Sequence, residues 1–376
     1  MTTRHTPGNQ ALRLLFWEST IRCNLSCAHC RRIDGDETAC NDLTTEQAHG
    51  MIRQLADLGK SQPFMPILVF SGGEPLCRPD VFELIHYARR RDIRSAIATN
   101  GTLVDETVAR RIKESNVARV SVSLDGATPE VHDRLRQLHG SFEQALAGIR
   151  CLTDQVVPFQ INVTLTKHNA HQIEDVYELA KKLGAAAVHI FMLVPVGCGQ
   201  VLAETDMLSP RQYEDMLVSI CRLDARGEIE IKVTCGPHYE RVKRQHGLDK
   251  TRRAASHLHA GTGKACLAPT VHANGATGRG CLAGLGVIFV AHQGDVFPCG
   301  YLPVKCGNIL EQPLAEIWCG SPDLAHMRDT DALEGKCGVC GYRALCGGCR
   351  ARAFAATGNY MAEEPFCAYV PPEATR

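Results

Sequence analysis

The sequence predicts an α/β protein. Its N-terminal half should fold as an open or partial barrel of parallel strands, and a smaller cysteine-rich unit should follow. Three observations carry this. Six short apolar runs alternate with amphipathic helical segments between residues 12 and 193, and parallel pairing of successive strands needs crossovers of that kind. The runs are rich in Val and Ile, as in strands covered on both faces. The chain also holds 19 cysteines, with three between residues 23 and 30 and nine between 281 and 367.

Residues 12–17 (LRLLFW) read as the first strand. Residues 44–58 read as a helix: Thr44 and Gln47 have capping-box spacing, Met51, Ile52, Leu55 and Leu58 share a face, and Gly59 is the expected stop. Ile67–Phe70 is the second strand and leads into a Gly-Gly turn. Val81, Phe82, Leu84 and Ile85 mark the next helix, and Ser95–Thr99 the third strand, ending at Asn100-Gly101. Further strands are expected at Ala118–Leu124, Phe159–Thr166 and Ala187–Leu193, with helices near 105–114, 142–153 and 171–183. Residues 208–245 look helical and then strand-like. Residues 246–280 are rich in Gly, His, Ala and Thr without periodicity, and read as a linker or substrate-covering loop. The expected organisation is an arm at 1–11, a partial barrel at 12–207, a connecting region at 208–280 and a cysteine-rich domain at 281–376.

Lys+Arg and Asp+Glu both number 41, for a net charge of zero. That argues against a nucleic-acid partner and against a basic membrane patch. No apolar run approaches the roughly 18 residues of a membrane span, and residues 1–11 lack the apolar core of a signal peptide. A cytoplasmic location follows as the expectation. In a reducing compartment, clustered cysteines bind metal or do chemistry more often than they form disulfides.

Chemistry in such a barrel belongs on the loops leaving the carboxyl ends of the strands. Cys23, Cys27 and Cys30 form C-x3-C-x2-C directly after the first strand. Three thiolates can hold an iron–sulfur cubane with one iron open. With His29 as a fourth ligand they would suit zinc, and the spacing alone leaves both open. Gly72-Gly73-Glu74-Pro75 follows the second strand, Asn100 the third, and Ser123 and Asp125 the fourth, while Asn162 and Thr164 interrupt the fifth. The glycines would let backbone approach a ligand closely, and Glu74 can accept from an amine. Polar groups at successive strand ends suit one site at one barrel mouth. Packing alone would explain an isolated case. Near the C-terminus, Cys337-x2-Cys340-x5-Cys346-x2-Cys349 and then Cys367 lie in a Gly-rich context, with Cys281, Gly294 and Cys299 upstream. CxxC knuckles of a zinc ribbon or further iron–sulfur clusters would both use such a set.

Taken together, the motifs make residues 12–195 resemble the radical SAM superfamily. The resemblance implies that Cys23, Cys27 and Cys30 hold a [4Fe-4S] cluster whose open iron chelates S-adenosylmethionine. It implies that Gly72, Gly73, Glu74 and Pro75 meet the methionine amino group, and that Asn100, Ser123, Asp125, Asn162 and Thr164 hold the rest of that cofactor. His29 departs from the usual aromatic residue before the third cysteine. The second cysteine set resembles the SPASM extension of the same enzymes, with two residues instead of three before Cys349. By that resemblance Cys337, Cys340, Cys346 and Cys367 hold one auxiliary [4Fe-4S] cluster. Cys281, Cys299 and Cys349 would hold another, with Cys266 as a candidate fourth ligand.

The strings FMLVPVGCGQ (191–200), VTCGPHYERV (233–242) and GCLAGLGVIFVAHQGDVFPCGYLPVKCGN (280–308) resemble the haem-biosynthesis branch of this family. That implies an iron-porphyrin substrate, a low-potential electron donor, and conversion of two propionates of iron-coproporphyrin III to vinyls, giving haem b. Arg31, Arg32, Arg350 and Arg352 are then candidates to bind carboxylates, because Arg can pair with them bidentately. Competing readings are a didecarboxysirohaem deacetylase, a haem d1-type enzyme, a SPASM peptide maturase, and a structural zinc or electron-transfer protein. The roughly 11 residues before the first strand weigh against a maturase with a leader-binding domain.

Overall fold

The computed structural model describes residues 11–32, 41–248 and 279–375. The six expected strands form as β1 (Leu14–Glu18), β2 (Ile67–Ser71), β3 (Ser95–Thr99), β4 (Arg119–Ser123), β5 (Phe159–Leu165) and β6 (Ala187–Met192). Four more join them: β7 (Glu230–Thr234), β8 (Val287–Val290), β9 (Asp295–Phe297) and β10 (Gly307–Asn308). All ten lie in one open sheet of order β10-β9-β8-β1-β2-β3-β4-β5-β6-β7. Pairing is parallel from β8 through β1 to β7, and antiparallel only in the β8-β9-β10 tail. The sheet therefore crosses the boundary expected at residue 281. Beyond it the chain returns to the other edge of β1, setting Val287 opposite Leu14 and Val290 opposite Trp17.

Helices α1 (Thr45–Lys60), α2 (Val81–Arg89), α3 (Glu106–Glu114), α4 (Pro129–Arg136), α5 (Ser141–Asp154) and α6 (Ile173–Lys182) occupy the crossovers. The capping box of α1 forms: Thr44 accepts from Gln47 N, and the Gln47 side chain accepts from Thr44 N. Gly59 does not end the helix, which runs on to Lys60. A Cβ at Gly59 would stand 2.1 Å from Met65 Sδ, so packing against the following loop explains that glycine. The short α4 was not anticipated.

The strand pleat sorts the side chains. Val120, Val122, Ile161, Val163, Val188, Ile190 and Ile231 point outward and are buried against the helices in one continuous core. The alternate positions, including Ser121, Ser123, Gln160, Asn162, Thr164, His189, Lys232 and Thr234, line the concave face. The inner face is thus more polar than strands buried on both sides would require, because it faces a cavity. Helices α7 (Gly199–Asp206), α8 (Pro210–Ala225) and α9 (His238–Gln245) flank β7. The cysteine-rich segment adds α10 (Leu314–Gly320), α11 (Pro322–Arg328), α12 (Gly335–Gly338) and α13 (Arg350–Thr357). Among the described residues no helix is long and apolar enough to cross a membrane.

Candidate active site

The concave face of the sheet encloses a cavity of about 1040 Å³. This is at the upper end of the roughly 300–1,000 Å³ usual for ligand pockets. Cys23, Cys27 and Cys30 sit at its rim, on the loop leaving β1. The turn after β2 holds that loop by three backbone bonds of 2.8 Å: Ser19 N to Ser71 O, Gly73 N to Thr20 O, and Glu74 N to Arg22 O. This seam explains the two glycines. Gly72 has φ 142°, and a Cβ there would lie 2.4 Å from Thr20 O, while one at Gly73 would lie 2.2 Å from Arg22 O.

Gly72 and Gly73 still line the cavity, but Glu74 and Pro75 stand behind its wall. Glu74 is fully buried and accepts from Thr99 Oγ1 (2.8 Å), Asn100 N (2.8 Å) and Leu76 N (3.2 Å). Burial raises its pKa to about 7 against those bonds. Three bonds from the fold take most of its acceptor capacity, so it positions the β2 and β3 turns. Asn100 faces the cavity and donates from Nδ2 to Asn24 of the cysteine loop at 2.9 Å.

Ser123, Asn162 and Thr164 line the wall, whereas Asp125 is wholly buried and does not. Its carboxylate pairs with Arg136 Nη2 at 2.7 Å and His29 Nε2 at 3.3 Å, and accepts from Thr164 N at 2.8 Å. Burial opposes its charge, but Arg136 and His29 outweigh that and keep its pKa below the ordinary value. Arg136, the last residue of α4, also donates from Nη1 to Cys27 Sγ at 3.7 Å. No local pattern in the sequence marks it. It places a buried positive charge beside the cysteine loop, which suits thiolates and an anionic cofactor group. Burial drives up the pKa of the free Cys27 thiol, and that of Cys23 to about 11. A bound cation would supply the charge that favours the thiolates.

The C-terminal cysteines form two groups. Burial raises the pKa of Cys346 and Cys367, and neighbouring Cys337 adds to both shifts. Cys340 lies one turn on, its N–H donating to Cys337 O at 3.3 Å. Cys281, Cys299 and Cys349 line the main cavity, together with Cys235 at the end of β7. All four pack into one small apolar cluster. Cys235 is the residue the sequence reading missed. It lies far upstream in sequence, its φ of 57° is rare outside glycine, and Tyr213 donates to its carbonyl at 3.0 Å. Cys266 lies outside the described residues. Glu364 joins the two groups: it accepts from Cys349 N at 2.6 Å, and its own N–H lies 3.4 Å from Cys337 Sγ. Among the described residues no three metal-ligating side chains meet closely enough for a single metal ion. A cubane's thiolates bind different irons and so stand further apart than those of one zinc.

The four arginines expected to bind carboxylates separate. Arg352 is fully buried behind the wall and pairs with Glu364 at 2.9 Å, so it is a structural residue. Arg31 lines the cavity but is held by Glu18 at 2.7 Å and by the Phe289 ring at 4.3 Å. Arg32 donates to Ile21 O within its own loop. Arg350 lines the cavity and spends Nη1 on Tyr360 O and Ala362 O, both at 2.8 Å.

Residues 17–180 match the radical SAM superfamily, and residues 281–341 match SPASM, an iron–sulfur cluster-binding domain. The chain is 45% identical over 361 residues to the AdoMet-dependent heme synthase of Methanosarcina barkeri (strain Fusaro / DSM 804), covering 96% of this chain and 97% of that one. It is 38% identical to the AdoMet-dependent heme synthase of Nitratidesulfovibrio vulgaris (strain Hildenborough), covering 99% and 98%. The fold matches native anSMEcpe with bound AdoMet and Cp18Cys peptide at a TM-score of 0.67 and 21% identity, over 95% of this chain and 93% of that one.

Proposed function

Because this chain belongs to the radical SAM superfamily, in its SPASM-bearing group and beside the AdoMet-dependent heme synthases, we propose that it converts iron-coproporphyrin III to haem b. Two propionates would become vinyl groups. The observation that carries this reading is 45% identity from end to end, with 97% of the relative covered. The residues present fit the cofactors: three thiols on one loop at the cavity rim, a glycine seam that fixes the loop, and the Arg136 guanidinium beside Cys27.

We assign the first cluster to Cys23, Cys27 and Cys30, and S-adenosylmethionine to the wall formed by Gly72, Gly73, Asn100, Ser123, Asn162 and Thr164. Glu74 and Asp125 position that wall. One auxiliary cluster is assigned to Cys337, Cys340, Cys346 and Cys367, and the second to Cys281, Cys299 and Cys349 with Cys235. When bound, the first cluster and S-adenosylmethionine supply hydrogen-atom abstraction, and the auxiliary clusters supply a place for electrons to go. The balance of each step suits such a pair: one hydrogen atom leaves the propionate, the carboxylate leaves as carbon dioxide, and one electron remains to be accepted. The chain's own contribution is to orient the propionate edge toward the rim and to keep bulk water from it. A low-potential electron donor and a cytoplasmic setting complete the reading, supported by the clustering of the cysteines in metal-ligand spacings.

The test is anaerobic turnover of the iron- and sulfide-reconstituted protein with reductant, S-adenosylmethionine and iron-coproporphyrin III, followed by mass spectrometry. Two successive losses of carbon dioxide plus two hydrogens, each with one 5′-deoxyadenosine, are expected. 5′-Deoxyadenosine with unchanged porphyrin would refute the substrate and keep the superfamily.

A further inference from the structure

Four side chains on the inner face of the sheet have no part in the assignments above. Arg119 opens β4, Gln160 lies on β5, His189 on β6 and Lys232 on β7, and all four line the cavity. The register brings them together: Gln160 is opposite Ser121, Asn162 opposite His189, and His189 opposite Lys232. Gln160 links them. Its amide nitrogen donates to Asn162 Oδ1 at 3.0 Å and lies 2.8 Å from His189 Nδ1, and its Oε1 accepts from Arg119 Nη1 at 3.4 Å.

Burial, with the charges of Lys232 and Arg119, holds His189 well below its ordinary pKa. Burial and these charges favour the neutral ring, and Gln160 Nε2, which can only donate, sets its tautomer. Nδ1 accepts from Gln160, and the proton sits on Nε2. Burial also lowers the pKa of Lys232, opposed by Glu230 two residues before it. Among the described residues neither Arg119 nor Lys232 has a carboxylate at ion-pair distance. Both are half-buried and face the cavity, and an entering anion would supply the counter-charge they lack.

Depth decides which anion. Arg119 precedes Ser123 by four residues on one strand. At about 3.3 Å per residue that sets it about 13 Å below the strand end where the cysteine loop lies. Its guanidinium is held by Gln160, two residues below Asn162 on β5, so a carboxylate on Arg119 sits deeper in the cavity than the cysteine loop.

We propose that Arg119, Lys232 and Nε2 of His189 form the seat for the carboxylates of the substrate that do not react. The proposal rests on the porphyrin reading: coproporphyrin carries four propionates, of which two are converted. A seat for the others on the inner face of the sheet, reaching below the S-adenosylmethionine wall at Arg119, turns the reacting edge toward the rim. It would also favour substrates that keep a pair of carboxylates opposite the edge being modified.

The test uses the reconstituted holoenzyme, titrated by absorbance with iron-coproporphyrin III and with its tetramethyl ester. R119Q/K232Q should weaken binding of the free acid by about 100-fold, since hydrogen bonds to charged groups contribute roughly tenfold or more each. It should leave binding of the ester within about twofold. R119K/K232R, which keeps both charges, should recover most of the free-acid affinity. Iron content and S-adenosylmethionine binding should match wild type in both variants, which excludes a folding defect. Equal free-acid affinity in wild type and R119Q/K232Q would overturn the seat, as would an equal loss for acid and ester. A wild type that binds neither porphyrin would overturn the substrate reading and the seat with it.

Discussion

Replacing Glu364 by Gln should destabilise the protein by about 3 kcal/mol and cost it auxiliary-site iron. Glu364 and Arg352 are both fully buried and pair at 2.9 Å. Burial works against the carboxylate, but Arg352 and His238 overcome it and bring its pKa from 4.5 to about 2. That depression corresponds to about 3 kcal/mol of folded-state stability at neutral pH. Leaving one member of a buried pair alone costs about 3–5 kcal/mol by general experience, in the same range. The sign follows from the direction: this contribution is complete above pH 4.5 and fades as pH falls toward 2. Because Glu364 also accepts from Cys349 N and donates its own N–H toward Cys337 Sγ, the loss should reach both auxiliary groups. Urea unfolding of anaerobically reconstituted E364Q, R352M and E364Q/R352M, with iron counted in each, checks this. The double variant should be less destabilised than E364Q, since no unpaired charge remains. E364Q within about 0.5 kcal/mol of wild type, or additive losses across the cycle, would refute the reasoning.

Cys27→Ala should abolish S-adenosylmethionine cleavage and lower iron by the share of one cluster; full iron with retained cleavage would refute the first cluster assignment. Cys235→Ser should remove iron from one auxiliary site and change its electron paramagnetic resonance signal, while S-adenosylmethionine is still cleaved; an unchanged auxiliary signal would leave Cys235 without a metal role. Gly72→Ala forces a side chain into a backbone of φ 142° against Thr20 O. It should cost about 1–3 kcal/mol and loosen the cysteine loop, read as faster loss of iron to a chelator than in wild type.

The relation between sequence and structure is clearest at particular residues. The six alternating strands were legible because strand and helix periods are local, and the structure reproduces their ends to within about two residues. The short α4 was not, and Arg136 went unnoticed with it. β8 was hidden for another reason: it pairs with β1 across most of the chain, and nothing local announces such a partner. The glycines of the turn after β2 were recognised as sites of close approach, but the approach is to the backbone of the cysteine loop.

By itself the sequence determined the chemistry that depends on short spacings. C-x3-C-x2-C after a strand, polar residues at strand ends and the C-terminal cysteine set marked where ligands gather, because ligands on one loop must act together; the class of reaction came from the resemblance those motifs carry to the radical SAM superfamily. Only the tertiary structure decided which distant residues share a site. Cys235 packs beside Cys281, Cys299 and Cys349, while Cys266, the candidate fourth ligand on sequence, lies outside the described residues. Arg352, attractive by its place after Cys349, turns inward to Glu364, while Arg119 and Lys232 face the cavity from separate strands. Spacing along the chain specifies neighbours within a turn or a loop. Which charge is neutralised inside and which is left facing a cavity depends on how the sheet folds around it, and on where burial leaves a cation without a partner.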